Sequence, residues 1–181
     1  MTRRRESLGG QLLRGAIAGT AATWLMDVVT TGVENLGPPE DAERERAVQP
    51  NGKTSVENLV DRLAGRLNLT LDTRQTAIAT NLVHFGLGAG PGAAYVVLRD
   101  RMPLLGAGRG LLFGALLWLV NDEYLNAQLG LSAPPGAYPD RTHLRGLIGH
   151  LVLGVGTDVA ADLLSLAARP RLSVTERSAI P

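Results

Sequence analysis

The sequence predicts an all-α fold: a four-helix transmembrane bundle with an amphipathic helix in the first outer loop. Three observations carry this. Four apolar stretches, about residues 12–36, 75–98, 104–131 and 142–166, are each long enough, at about 1.5 Å per residue, to cross a hydrocarbon layer of ~30 Å. Each stretch carries an ionisable side chain: Asp27, His84, the pair Asp122 and Glu123, and His150. In an up-down arrangement all of these fall roughly 12–14 Å below the same membrane face. Between Arg74 and Arg99 there is no Asp, Glu, Lys or Arg, where a soluble amphipathic helix would show a polar face. A soluble bundle with buried helices is the rival, because the mean hydropathy is only +0.07 and does not decide the class.

With 181 residues, four spans and short connections use nearly the whole chain, so residues 1–181 form a single integral-membrane domain. The first span follows Arg3, Arg4, Arg5 and Arg14. Arg4-Arg5-Glu6-Ser7-Leu8 before an apolar run loosely resembles a twin-arginine signal. No small-residue cleavage site follows ahead of a polar start, which favours a membrane anchor. The first connection opens on Gly37-Pro38-Pro39 and continues to Pro50-Asn51-Gly52, and little of it is expected to be regular. Thr54 and Glu57 then form a capping box, with Val56, Leu59, Val60, Leu63 and Leu67 at helical spacing. This amphipathic helix, about residues 54–69, is expected on the outer membrane surface or capping the bundle.

Pro91 is expected to kink the second span just below His84. In the third span Gly106, Gly110 and Gly114 recur every fourth residue, as do Gly15 and Gly19, Gly86 and Gly90, and Gly88 and Gly92. Such strips let another backbone approach closely, either between spans or in a homo-oligomer. Pro134 and Pro135 make the loop before the fourth span short and stiff.

Of the 18 basic residues all but Lys53 are Arg, and they cluster. Besides the N-terminal group, Arg99, Arg101 and Arg109 lie between the second and third stretches, and Arg169, Arg171 and Arg177 follow the fourth. The positive-inside rule then places both termini in the cytoplasm. Residues 37–74 and 132–141 lie outside, and the lipid bilayer is the partner. A net charge of +1 argues against a nucleic-acid surface. With no cysteine there is no disulfide, thiolate metal site or cysteine nucleophile.

An isolated charge at mid-membrane depth is costly, so Asp27, His84, Asp122, Glu123 and His150 are expected to face inward and partner one another. Asn81 and Asn126, each one turn away, are placed to complete the network. Four uses remain open. The groups can simply hydrogen-bond between helices and fix their register. They can bind a divalent metal, zinc or iron, from two imidazoles and one or two carboxylates, although no Glu-x-x-His spacing is present. Haem between His84 and His150 is conceivable, but few aromatic side chains are available to line it. They can hold or pass protons, with Asp158 and Asp162 marking a path toward the cytoplasm and Asp162 alternatively paired with Arg169. Catalysis is the weakest use: every serine lies outside the polar layer or near a span end, and no phosphate loop is present. His143, at the outer mouth of the fourth span, is expected to be interfacial, with gating or assisting the site as its other role.

Gly114-Ala115-Leu116-Leu117-Trp118-Leu119, Asp122-Glu123, Gly130-Leu131-Ser132, Pro134-Pro135 and Gly149-His150-Leu151-Val152, with Asp158 eight residues on, resemble the YagU-like inner-membrane proteins. Ala18-Gly19, Pro38-Pro39 and His84 ahead of a glycine-rich run add to the likeness, which covers most of residues 12–166. In that family the position of Asp158 is often Glu and that near Asp122 can be His. The resemblance implies a four-span bacterial inner-membrane protein loosely linked to acid tolerance, without an established activity. The sequence therefore favours a membrane protein whose polar layer binds a divalent metal ion or protons without turning over a substrate. A purely structural or partner-binding membrane protein is the alternative.

Overall fold

A computed structural model describes residues 6–168, and these are helical with no strand among them. The all-α expectation holds. The arginines at positions 3–5, 169, 171 and 177 lie outside the described residues.

Helix α1 runs Leu8–Asn35 and starts where the Ser7 hydroxyl accepts from the Gly10 amide. The following connection is not irregular. Pro39–Val48 forms α2, with Pro at its first position, Glu40 and Asp41 in its first turn and Arg46 in its last. Proline breaks a helix interior but suits the first turn, so Pro38-Pro39 both ends α1 and starts α2. Helix α3, Ser55–Arg66, is capped by Thr54 and Glu57 reciprocally. Just before it Lys53 donates to Asp61 at 2.6 Å, and that hydrogen bond holds the Lys53 ammonium above its ordinary pKa. Helix α4, Thr73–Arg99, opens on a second capping box, Asp72 with Gln75, and contains Pro91.

The third apolar stretch departs most from expectation. Residues Pro103–Gly106 form a 3₁₀ turn, and Gly108, Arg109 and Gly110 all have positive φ (62°, 57° and 89°). Helix α5 therefore begins only at Leu111 and ends at Leu117. It continues without a break into a π-helix, Trp118–Leu125, and then α6, Asn126–Gln128. Three consecutive left-handed residues cannot join a right-handed helix, which shortens the rod at its N-terminal end. Helix α7, Asp140–Ala167, completes the bundle.

Helix α1 lies between α4 and α7, the α5 rod packs on α7, and α3 rests on α4. Glycine makes the closest crossings. A Cβ on Gly15 would lie 2.5 Å from the Gly92 carbonyl oxygen, and one on Gly19 would collide with the Gly88 carbonyl. Gly110 and Gly114 meet α7 in the same way, against Gly154 and the His150 carbonyl, although Gly110 precedes α5 rather than lying within it. Gly86 and Gly90 meet nothing within 4 Å. The buried residues include the small Ala18, Ala22 and Ala161 beside the larger Tyr95, Val96 and Leu153, whereas Leu13, Trp24 and Leu82 are over 60% exposed. Small residues at the helix crossings, with many large apolar residues turned outward, are the pattern that helix packing in lipid favours. Two helices, α1 and α7, are long and apolar enough to cross a membrane.

Candidate functional site

Each of the three imidazoles in the chain sits against one carboxylate. His84 on α4 reaches Asp27 on α1, with Nε2 2.8 Å from Oδ1 and 3.1 Å from Oδ2. His150 on α7 directs Nδ1 to the Gly146 carbonyl at 3.1 Å and lies 3.5 Å from Asp122 Oδ2 in the π-helix. The other Asp122 oxygen accepts from Asn121 at 2.8 Å. His143 is not merely interfacial: its Nδ1 lies 2.7 Å from Glu123 Oε1 and its Nε2 3.0 Å from the Pro135 carbonyl. The two acidic neighbours thus part company. Consecutive side chains on a helix leave in different directions, so Asp122 turns to His150 and Glu123 to His143.

These pairs border two cavities. A chamber of about 220 Å³ lies between the rods, faced by His84, Asp122, Asn126 and His150 and roofed by Ser55, Val56 and Leu59 of α3. A second cavity of about 240 Å³ forms a vestibule faced by Glu45, Asp122, Glu123, His143 and Arg145. Ser55, Asp122 and Asn126 border both, so the chamber and vestibule adjoin at the Asp122 carboxylate. The vestibule rim is tied by charge. Arg145 on α7 holds Glu45 of α2 at 2.7 Å and Glu34 of α1 at 3.3 Å, and Thr142 donates to Glu45 at 2.9 Å. Trp118 Nε1 is buried beside this cavity without a hydrogen-bond partner.

Two sequence expectations fail on geometry. Asn81 does not join the layer, since its amide donates to the Ala77 carbonyl one turn back on an exposed face of α4. Asp158 does not continue an open path from His150. Its Oδ1 accepts from Tyr95 at 2.7 Å and Arg99 at 2.6 Å, and its Oδ2 accepts from Arg109 at 3.2 Å. Asp162 is bound by the same two guanidiniums, at 2.7 Å and 3.1 Å. Sequence reasoning missed this four-charge clasp. Its available signal was Asp158 and Asp162 one turn apart on α7, with two arginines bracketing the facing loop.

Zinc or iron needs three or four donors. Among the described residues no group of three or more His, Asp or Glu side chains is placed to hold a metal ion. A His–carboxylate pair can share or release a proton without rearrangement, because imidazole titrates near neutral pH and a facing carboxylate favours its charged form. Comparison of the chain with known protein families, with characterised proteins and with solved structures finds no match.

Proposed function

We propose that this chain is a multi-pass inner-membrane protein whose His–carboxylate pairs, set between helices, bind protons that arrive from the outer face. The observation that carries the reading is the placement of Asp122: it faces His150 and borders both the chamber and the vestibule. Membrane insertion is supported by the many large apolar side chains turned outward and by the length of α1 and α7. Helix α4, of 27 residues, and the rod from Leu111 to Gln128 would supply the other two spans. Arg99, Arg101 and Arg109 would then face the cytoplasm together with both termini. The likeness to YagU-like proteins adds a link to acid tolerance, in which a proton-binding layer has an obvious use.

The test reads Trp118, whose indole nitrogen and the Asp122 carboxylate both lie against Gly146. With Trp24→Phe in place, Trp118 is the single tryptophan. Its emission in detergent or nanodiscs is expected to titrate with pH, and the transition to vanish in Asp122→Asn. A flat response in the parent chain would leave the scaffold reading standing. Stoichiometric zinc or iron in purified protein, lost in His84→Ala and His150→Ala, would favour the metal reading instead.

A further inference from the structure

The two halves of the bundle are built differently. Toward the outer face lie the vestibule and chamber, the latter ending at Pro91, Leu117 and Leu153. One turn further in, Tyr95 stacks on Phe113 with ring centroids 4.6 Å apart, amid Ala18, Val96 and Ala161. This plug is dry: Tyr95 and Val96 are each 1% exposed. Beyond it the Tyr95 hydroxyl donates to Asp158, the first member of the clasp formed with Arg99, Arg109 and Asp162. A cavity edged by His84, Asp122 and His150 on one side and an aromatic pair backed by ion pairs on the other divide the bundle in two.

The seal sits on elements that can move together. Arg109 grips Asp158 and Asp162 from a left-handed backbone between Gly108 and Gly110, both also at positive φ, where glycine absorbs a change of φ at little cost. From there α5 meets α7 through Gly110, Gly114 and Gly154, backbone against backbone, with the Asp158 Cβ beside Gly110. The same two rods carry the Asp122–His150 pair. Facing that pair are His84 from α4, with Asp27 of α1 behind it, and the uncharged Ser55 of α3. Around the clasp the charged groups are Arg99 from α4 and Arg109 from the loop, while Arg14 of α1 donates to the nearby Ala161 carbonyl.

We propose that the bundle is a gated proton conduit, entered through the vestibule and chamber and shut at its inner end by the Tyr95–Phe113 plug and the Arg99/Arg109–Asp158/Asp162 clasp. This rests on the reading of the chamber pairs as proton sites. Each step passes one proton between an imidazole, a carboxylate or water, with no other bond changed and the gradient as driving force. Sliding of α5 along α7 about the Gly108–Gly110 turn would release Arg109 and part Phe113 from Tyr95.

The experiment measures proton uptake into liposomes holding an internal pH dye, with a potassium gradient and valinomycin to set the voltage. Wild-type protein is compared with Arg109→Gln and with the charge-balanced Arg109→Gln/Asp162→Asn, each verified as folded by circular dichroism and gel filtration. Flux is expected to rise roughly tenfold in the clasp variants, the scale by which one broken coupling shifts a closed state toward an open one. Adding His150→Ala to either is expected to return flux to that of protein-free liposomes. Folded clasp variants at the wild-type rate would overturn the conduit, and so would a raised flux indifferent to His150. The Trp118 titration separates the two levels. If it persists while flux stays low, the proton site stands without the conduit; if it is absent from the parent chain, the site itself has failed.

Discussion

His84 on α4 addresses both oxygens of Asp27 on α1 through one ring nitrogen, at 2.8 Å and 3.1 Å. That contact joins two helices whose backbones already touch at Gly15, Gly19, Gly88 and Gly92, so the pair sits beside a close seam of the bundle. Each partner answers the other's polarity in a setting that offers few alternatives.

His84→Ala is therefore expected to destabilise the protein by about 1–3 kcal/mol, because the Asp27 carboxylate is left without its partner. Replacing both, as Asp27→Leu/His84→Leu, is expected to cost less than either single change. Thermal unfolding of the four-member cycle in one detergent measures this. A double variant as weak as the sum of the singles would show that the two side chains are not coupled.

The glycines divide into two classes that substitution distinguishes. Gly19→Val forces a side chain into the Gly88 carbonyl and is expected to cost more than about 3 kcal/mol or to prevent folding. Gly86→Ala and Gly90→Ala meet open space, and in a helix interior each is expected to be neutral or stabilising by roughly 0.5–1 kcal/mol. Midpoints of thermal unfolding for the three variants check the contrast. Similar losses at Gly19 and Gly86 would contradict the packing described.

The chain has no cysteine, so single introduced cysteines report topology cleanly. Glu43→Cys on α2 is expected to react with an impermeant maleimide added to the outside of intact cells. Arg101→Cys is expected to react only after the inner membrane is opened. Reversed labelling would invert the bundle, and labelling of a fully soluble protein would remove it from the membrane.

Arg145 bridges Glu45 of α2 and Glu34 of α1, so it anchors the flap over the vestibule. Arg145→Ala strands both carboxylates and is expected to speed amide exchange across α2, Pro39–Val48, roughly tenfold or more while α7 stays protected. Hydrogen-exchange mass spectrometry reads both segments at once. Unchanged exchange in α2 would mean that other contacts hold it.

Most of the long helices were written in the local pattern, although α2 and the left-handed turn before α5 were not. The capping boxes at Thr54 and Asp72 start α3 and α4 because a side-chain oxygen and the amide three residues on are neighbours in sequence. The glycine strips of α1 and α4 followed from residues recurring every fourth position. That two imidazoles, His84 and His150, and several carboxylates lie in apolar segments was also legible, since hydropathy is a property of the segment alone.

Only the tertiary structure decided the partners. Helical periodicity gives the face on which His150 or Glu123 lies but not the helix opposite, so His143 joined Glu123 and Asn81 fell outside the network. The same reason hid the clasp, whose members come from α4, a loop and α7 and meet only when those elements pack. It was likewise the fold that set Arg109 in a left-handed turn and Trp118–Leu125 in a π-helix, because both depend on how the α5 rod must run to meet α7.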